Sequence, residues 1–138
     1  MIRTVDINEL NHCFTFVKTM ATDAGFFTPD IDAFVKNWTT NILNGSSLFL
    51  VCLNDKKIIG MFAGIASPEI NSGVMVGTEC LWYVEPEYRG SGVGKSMLFE
   101  FERWAILKGC KAICTATPCA GLHIDKYRSI ETLYIKEI

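Results

Sequence analysis

The sequence predicts a single α/β domain of 138 residues, with a mixed sheet carrying helices on its faces. Three observations predict it. Residues 48–66 read as a hairpin of two apolar strands. Residues 74–107 read as a strand, a glycine-rich turn and a long helix. A further apolar strand over 111–117 follows, so it and the strand before the helix should be parallel and joined by a right-handed crossover.

In chain order, residues 2–5 read as a short strand. Asp6 or Asn8 can cap a helix over about residues 8–22, with Leu10, Phe14 and Val17 on one face. The run Ala24-Gly25-Phe26-Phe27 breaks it. Thr28 is the expected N-cap of a second helix, with Pro29 at its first position and Ile31, Phe34, Val35, Trp38 and Ile42 as its apolar stripe. Asn44-Gly45 stops that helix. Strands over 48–53 and 58–66 flank the turn Asn54-Asp55-Lys56-Lys57, and Gly60 and Gly64 mark bulges or a close backbone approach. Residues 68–73 form a loop. The strand over 74–85 ends at Glu85-Pro86-Glu87, because Pro86 has no amide proton for a ladder. In the next helix Val93, Met97, Leu98, Phe101, Trp104, Ile106 and Leu107 recur at helical spacing, and Gly109 ends it. Residues 118–121 are irregular, and 129–138 alternate like a final strand.

Composition narrows the function. A net charge of -2 argues against nucleic-acid binding through a basic surface. No apolar run is long enough for a membrane span, and the first ten residues lack a signal-peptide core. The six cysteines are scattered, with no C-x-x-C pair and no histidine at zinc-finger spacing, so neither a metal site nor a disulfide framework is expected. A reducing, cytoplasmic location fits that usage.

The chemistry-bearing stretch is Arg89-Gly90-Ser91-Gly92-Val93-Gly94-Lys95-Ser96. Glycines at the start of a helix leave bare backbone N–H groups, which with the helix dipole favour an anion such as pyrophosphate. Three motif readings compete. A Walker A loop places Lys95-Ser96 correctly, but the glycine required five residues before Gly94 is Arg89. The dinucleotide pattern G-x-G-x-x-G fits Gly90 and Gly92, but its third glycine falls on Lys95. The pattern R-x-x-G-x-G is met by Arg89, Gly92 and Gly94.

With Val84, Pro86 and Gly90 also in place, the stretch W-Y-V-E-P-E-Y-R-G-S-G-V-G-K-S-M-L strongly resembles the acetyl-CoA-binding motif of the GNAT superfamily of N-acetyltransferases. The order of elements through residue 117 is similar as well. The resemblance implies a GNAT-like α/β fold: a mixed, mostly antiparallel sheet with a splayed parallel strand pair, helices on both faces and here a shortened C-terminal part. It implies acetyl-CoA as acyl donor and a primary amine as acceptor. Gly90, Ser91, Gly92, Val93, Gly94 and Lys95 would hold the pyrophosphate with Arg89, and Trp82, Tyr83 and Val84 would lend backbone groups to the pantetheine arm. Small phage-encoded acetyltransferases are similar in the L-W-x-V-x-P-E-Y-R-G strand and the closing E-T-x-Y-x-K-E-I.

Amide formation from a thioester needs a base for the amine, a donor to the carbonyl oxygen and a proton for the thiolate. The resemblance makes Glu79 the candidate base, against a solvent-facing or salt-bridged role. A main-chain N–H near Tyr83 or Val84 is the expected oxyanion donor. The family's tyrosine helix has no counterpart in Thr117-Pro118-Cys119-Ala120-Gly121-Leu122-His123-Ile124, so Tyr127 is the substitute acid, with Cys119 and His123 behind it. Phe26 and Phe27 line an acceptor pocket or staple a helix start. Trp38 and Trp104 are expected in the core. The lost helix also leaves open a non-catalytic CoA-binding or interaction protein, and a second subunit of a homodimer could complete the shortened end.

Overall fold

The computed structural model describes residues 1–24, 27–116, 124, 126–130, 136 and 138. The elements are β1 (Ile2–Thr4), α1 (Leu10–Ala24), α2 (Ile31–Leu43), β2 (Ser47–Asn54), β3 (Lys57–Pro68), β4 (Met75–Val84), α3 (Val93–Leu107) and β5 (Ala112–Cys114), with single 3-10 turns at Ile7–Glu9 and Pro86–Tyr88. Among the described residues, five strands form one sheet in chain order, antiparallel except for the parallel pair β4 and β5. The expected mixed sheet is present. Of the predicted final strand, Ser129 and Ile130 are not in a strand, and residues 131–135 and 137 lie outside the described set. The proposed C-terminal shortening likewise falls largely on undescribed residues, 117–123 and 125.

Local sequence accounts for the helix starts. Asp6 accepts from the Asn8 amide at 2.8 Å, and Glu9 reaches back to the Asp6 amide at 2.9 Å while pairing with Arg3 at 2.7 Å. That capping box makes the 3-10 turn that leads into α1. The second helix corrects an expectation: its N-cap is Asp30, accepting from the Ala33 amide at 2.8 Å, and Thr28-Pro29 precede it. Aspartate ranks above threonine as an N-cap, and its carboxylate complements the positive end of the helix dipole.

The strands alternate between two cores. Phe49, Val51, Met61 and Ala63 pack with Leu10, Cys13, Phe14 and Phe16 of α1 and Phe34 of α2. Leu50, Cys52, Ile59 and Phe62 pack with Met97, Leu98 and Phe101 of α3. Helices therefore cover both faces, as a period-2 apolar pattern on both sides of a strand requires. Trp38 meets Phe49 edge-on at 5.1 Å and Trp104 stacks on Phe101 at 5.5 Å, both as core residues. Three expected core positions are instead exposed: Ile31, Ile106 and Leu107. Ala105, one step earlier in the helix, is the buried member of the α3 ridge, and the 100° step carries Ile106 off it.

That ridge lies close on the sheet. Met97, Phe101 and Ala105 face Gly60, Gly64 and Gly77, and a Cβ at each glycine would fall at 3.3 Å from Met97, 2.5 Å from Phe101 and 3.2 Å from Ala105. Gly64 is the tightest, because a Cβ there would also stand 2.7 Å from the Thr78 carbonyl. The sequence signal of close approach at Gly60 and Gly64 is met. Gly64→Ala should cost about 1–3 kcal/mol by overpacking, read as a lower denaturant midpoint; an unchanged midpoint would contradict this seating of α3.

Candidate acyl-transfer site

The site is built on a change of phase in β4. Gly64 pairs with Glu79 and Ala63 with Leu81, so Cys80 is an extra residue opposite no partner. Backbone bonds show the consequence. Before Cys80, the Val74 carbonyl accepts from Glu69 at the β3 end while the Met75 carbonyl accepts from Lys111, toward β5. After it the parity is reversed, and the Glu85 amide donates to Ile59 of β3 at 2.8 Å. Trp82 and Val84 therefore turn their backbone groups away from β3. Pairing with β5 covers only Val76, Gly77 and Thr78, so among the described residues β4 is splayed from β5 beyond Thr78. Tyr83 keeps its backbone on β3, opposite Met61. Of the two residues named for the oxyanion donor, Val84 is the one whose amide faces the open edge.

At the end of that edge sits the glycine turn. Gly90 and Gly92 have φ of 81° and 92°, left-handed values that side chains disfavour. Gly92 is the N-cap of α3 and offers no side chain to its amides. The first intrahelical amide to find a carbonyl is that of Ser96, on Gly92 at 3.0 Å, so the amides of Val93, Gly94 and Lys95 carry no intrahelical bond. The turn is braced from outside: Asn54 donates to the Tyr88 hydroxyl at 2.9 Å and Lys57 pairs with Glu85 at 2.9 Å. Arg89 folds back, its Nε donating to the Val84 carbonyl at 2.8 Å and its guanidinium lying 5.7 Å from the centre of the Tyr83 ring. Tyr83 in turn stacks on Phe16 of α1 at 5.2 Å. Ser91 bonds to the Tyr88 carbonyl, and Lys95 is exposed on the first turn of α3.

Glu79 lies one residue before the bulge, half-buried, and accepts from the Ala116 amide at 3.1 Å. Burial pushes its carboxyl above the ordinary value, and the amide bond offsets this only in part. Tyr127 packs on the α3 side and donates to Glu102 at 2.6 Å. Burial, then that carboxylate, raises the phenol well above its usual value. The hydroxyl is thus tied to α3, not to Glu79. Cys119 and His123 lie outside the described residues, as does Phe26. Phe27 is exposed and lines a cavity of 190 Å³ with Lys18, Ala21, Thr22, Thr28 and Pro29, so it is no core staple. Two features escaped the sequence reading. The bulge at Cys80 has no glycine to announce it, and Glu102 reads as one more polar helix residue.

Among the described residues no group of three or more His, Cys, Asp or Glu is placed to hold a metal ion, and no helix is long and apolar enough to cross a membrane. The Glu79 environment sets a pH dependence. A carboxyl raised in the fold favours the folded state while protonated, and that contribution is lost as pH rises through its raised value. Glu79→Gln is neutral throughout, so it should melt higher than the unsubstituted protein near neutral pH. The gap should close below the ordinary value of 4.5. A melting difference independent of pH would contradict a carboxylate disfavoured in its charged form by partial burial.

Comparison with known proteins places this geometry. The sequence profile of the Acetyltransferase (GNAT) family matches residues 8–123. An aminoglycoside N(6')-acetyltransferase type 1 from Stenotrophomonas maltophilia is 28% identical over 95 residues, covering 63% of this chain and 60% of that protein. The aligned stretch is thus less than two thirds of that relative's length. Among solved structures, AAC(6')-Iy in complex with the bisubstrate analogue CoA-S-monomethyl-acetylneamine superposes with a TM-score of 0.74 at 20% identity, covering 100% of this chain and 98% of the other. A predicted acetyltransferase with acetyl-CoA from Clostridium acetobutylicum superposes with a TM-score of 0.73 at 18% identity, covering 95% of both chains. The glycine turn and the β4–α3 unit lie within the matched residues. The chain belongs to the acetyltransferase (GNAT) family.

Proposed function

We propose that this protein is an acetyl-CoA-dependent N-acetyltransferase that moves the acetyl group directly to a primary amine. One observation carries the reading: uncapped amides at the start of α3 stand at the end of an open β4 edge that begins beside a half-buried carboxylate. The amides of Gly92 to Lys95 suit a pyrophosphate, with the helix dipole adding to them. The edge groups of Trp82 and Val84 suit the amide-bearing pantetheine arm, which would pair there as an added strand. The names of two relatives, an aminoglycoside acetyltransferase and an acetyltransferase crystallised with acetyl-CoA, support the same donor and acceptor classes.

In this reading the amine nitrogen attacks the thioester carbonyl carbon, the new C–N bond forms, and the C–S bond breaks. Glu79 takes the proton that the nitrogen sheds, directly or through water, and its raised pKa brings it closer to that task. The Val84 amide is the candidate donor to the carbonyl oxygen. The thiolate leaves as the thiol, with Tyr127 the candidate proton source. Its raised pKa keeps the phenol protonated, and its bond to Glu102 must yield for it to act. The acceptor would enter beside the α1–α2 link, where Phe27 and Lys18 line the cavity. An aminoglycoside is the first acceptor to try. Five free cysteines among the described residues suit a cytoplasmic site of action.

The test is free-thiol release from acetyl-CoA over a panel of amines including aminoglycosides. Glu79→Gln should lower turnover by about 10²–10⁴-fold while leaving acetyl-CoA affinity within about twofold. Tyr127→Phe should lower turnover while leaving acetyl-CoA affinity within about twofold. No thiol release with any amine, despite acetyl-CoA binding, would favour the non-catalytic CoA-binding alternative.

A further inference from the structure

Gly94 stands where motif logic assigns a glycine to make room for the cofactor. The geometry points elsewhere. A Cβ at Gly94 would meet the edge of the Trp82 indole, 3.1 Å from Nε1 and 3.6 Å from Cε2 and Cζ2. The approach to Nε1 is tighter than nine in ten real Cβ contacts, so the indole would have to give by a few tenths of an ångström, while the two carbons are at ordinary contact distance. The first turn of α3 therefore rests on the indole, and the indole rests on Phe62, edge-on at 5.5 Å, which contacts Phe101 at 5.2 Å. An aromatic column runs from β4 through β3 and back to α3.

We infer that Trp82 is a positioning residue for the cofactor: its indole sets the height of the α3 amides above β4, and Gly94 is glycine to fit that indole. The inference rests on the acetyl-CoA reading and adds to it. Trp82 is placed in both halves of the site. Its backbone faces the splayed edge that suits the pantetheine arm, while its side chain underlies the turn that suits the pyrophosphate. The spacing between those halves is thus fixed by one rigid ring with few rotamers. An error of about 1 Å in such a spacing is enough to weaken a multi-point site.

The two explanations of Gly94 separate in a double-mutant cycle. Alanine is the better helix former by about 0.8–1.0 kcal/mol, so a loss from Gly94→Ala reports a clash and not a propensity. Four proteins are compared: unsubstituted, Gly94→Ala, Trp82→Leu, and both together. Each is read twice, by melting temperature without ligand and by calorimetric affinity for acetyl-CoA. Leucine ends before the indole atoms that approach Gly94. Gly94→Ala should lower the melting temperature and weaken acetyl-CoA binding at least tenfold. In the Trp82→Leu background the same change should leave melting unharmed and alter affinity less than twofold.

Each other outcome overturns the inference. If Gly94→Ala weakens binding equally in both backgrounds, the glycine makes room for the ligand. If melting couples but affinity does not, the pair packs without positioning the site. If the doubly substituted protein fails to fold while Trp82→Leu alone folds, the pairing is wrong. If the unsubstituted protein does not bind acetyl-CoA, the cofactor reading falls and the positioning role with it. The melting cycle, which needs no cofactor, tells that failure from the others.

Discussion

The seating of α3 against the sheet is the constraint on which the site depends. Helices usually stand off a sheet by the depth of two side-chain layers. Here the ridge Met97, Phe101 and Ala105 settles over Gly60, Gly64 and Gly77, and Phe101 is completely buried. The helix is joined to β4 by a turn of only eight residues, so its depth fixes where its first amides come to rest. They come to rest at the C-terminal end of β4. An anion there would meet backbone donors with no side chain to reorganise, which is the most economical form of phosphate recognition.

A second constraint makes the neighbouring edge available. A strand in the middle of a sheet spends its backbone groups on both neighbours, and burying them unpaired is costly. The extra residue at Cys80 reverses the parity of β4, and the parallel partner stops at Thr78. Among the described residues the strand is thereby satisfied on both sides in its first half and open on one side in its second. Arg89 relieves part of that opening by donating to the Val84 carbonyl, and its guanidinium lies over Tyr83. Glu79 falls at the junction of the two halves, where burial raises its pKa and the Ala116 amide holds it in place.

Much of this was legible in the sequence, for reasons that can be named. The strand, glycine turn and helix over 74–107 carried periodicity, a proline stop and left-handed glycines, and each of these is a local signal. The hairpin of β2 and β3 was legible from its two apolar runs and the polar turn between them. The helix start at Asp30 was misplaced onto Thr28 because both are good caps and the proline favoured the earlier one. Ile106 and Leu107 extend the apolar run of α3 at near-helical spacing, yet the helical phase buries Ala105 and leaves both exposed. The bulge at Cys80 was illegible, since any residue can occupy it and the apolar pattern around it does not break. The partner of Gly94 was illegible too, because a contact between residues 82 and 94 depends on how the helix lands on the strand.

The central claim is that the α3 amides and the open β4 edge together form a coenzyme A site. Calorimetric titration of the protein with acetyl-CoA, with ATP and magnesium in parallel, tests it most directly. The account predicts micromolar binding of acetyl-CoA, about -8 kcal/mol, one equivalent per chain, and no heat from ATP. No binding of acetyl-CoA, or binding of ATP that is lost on Lys95→Ala, would contradict it.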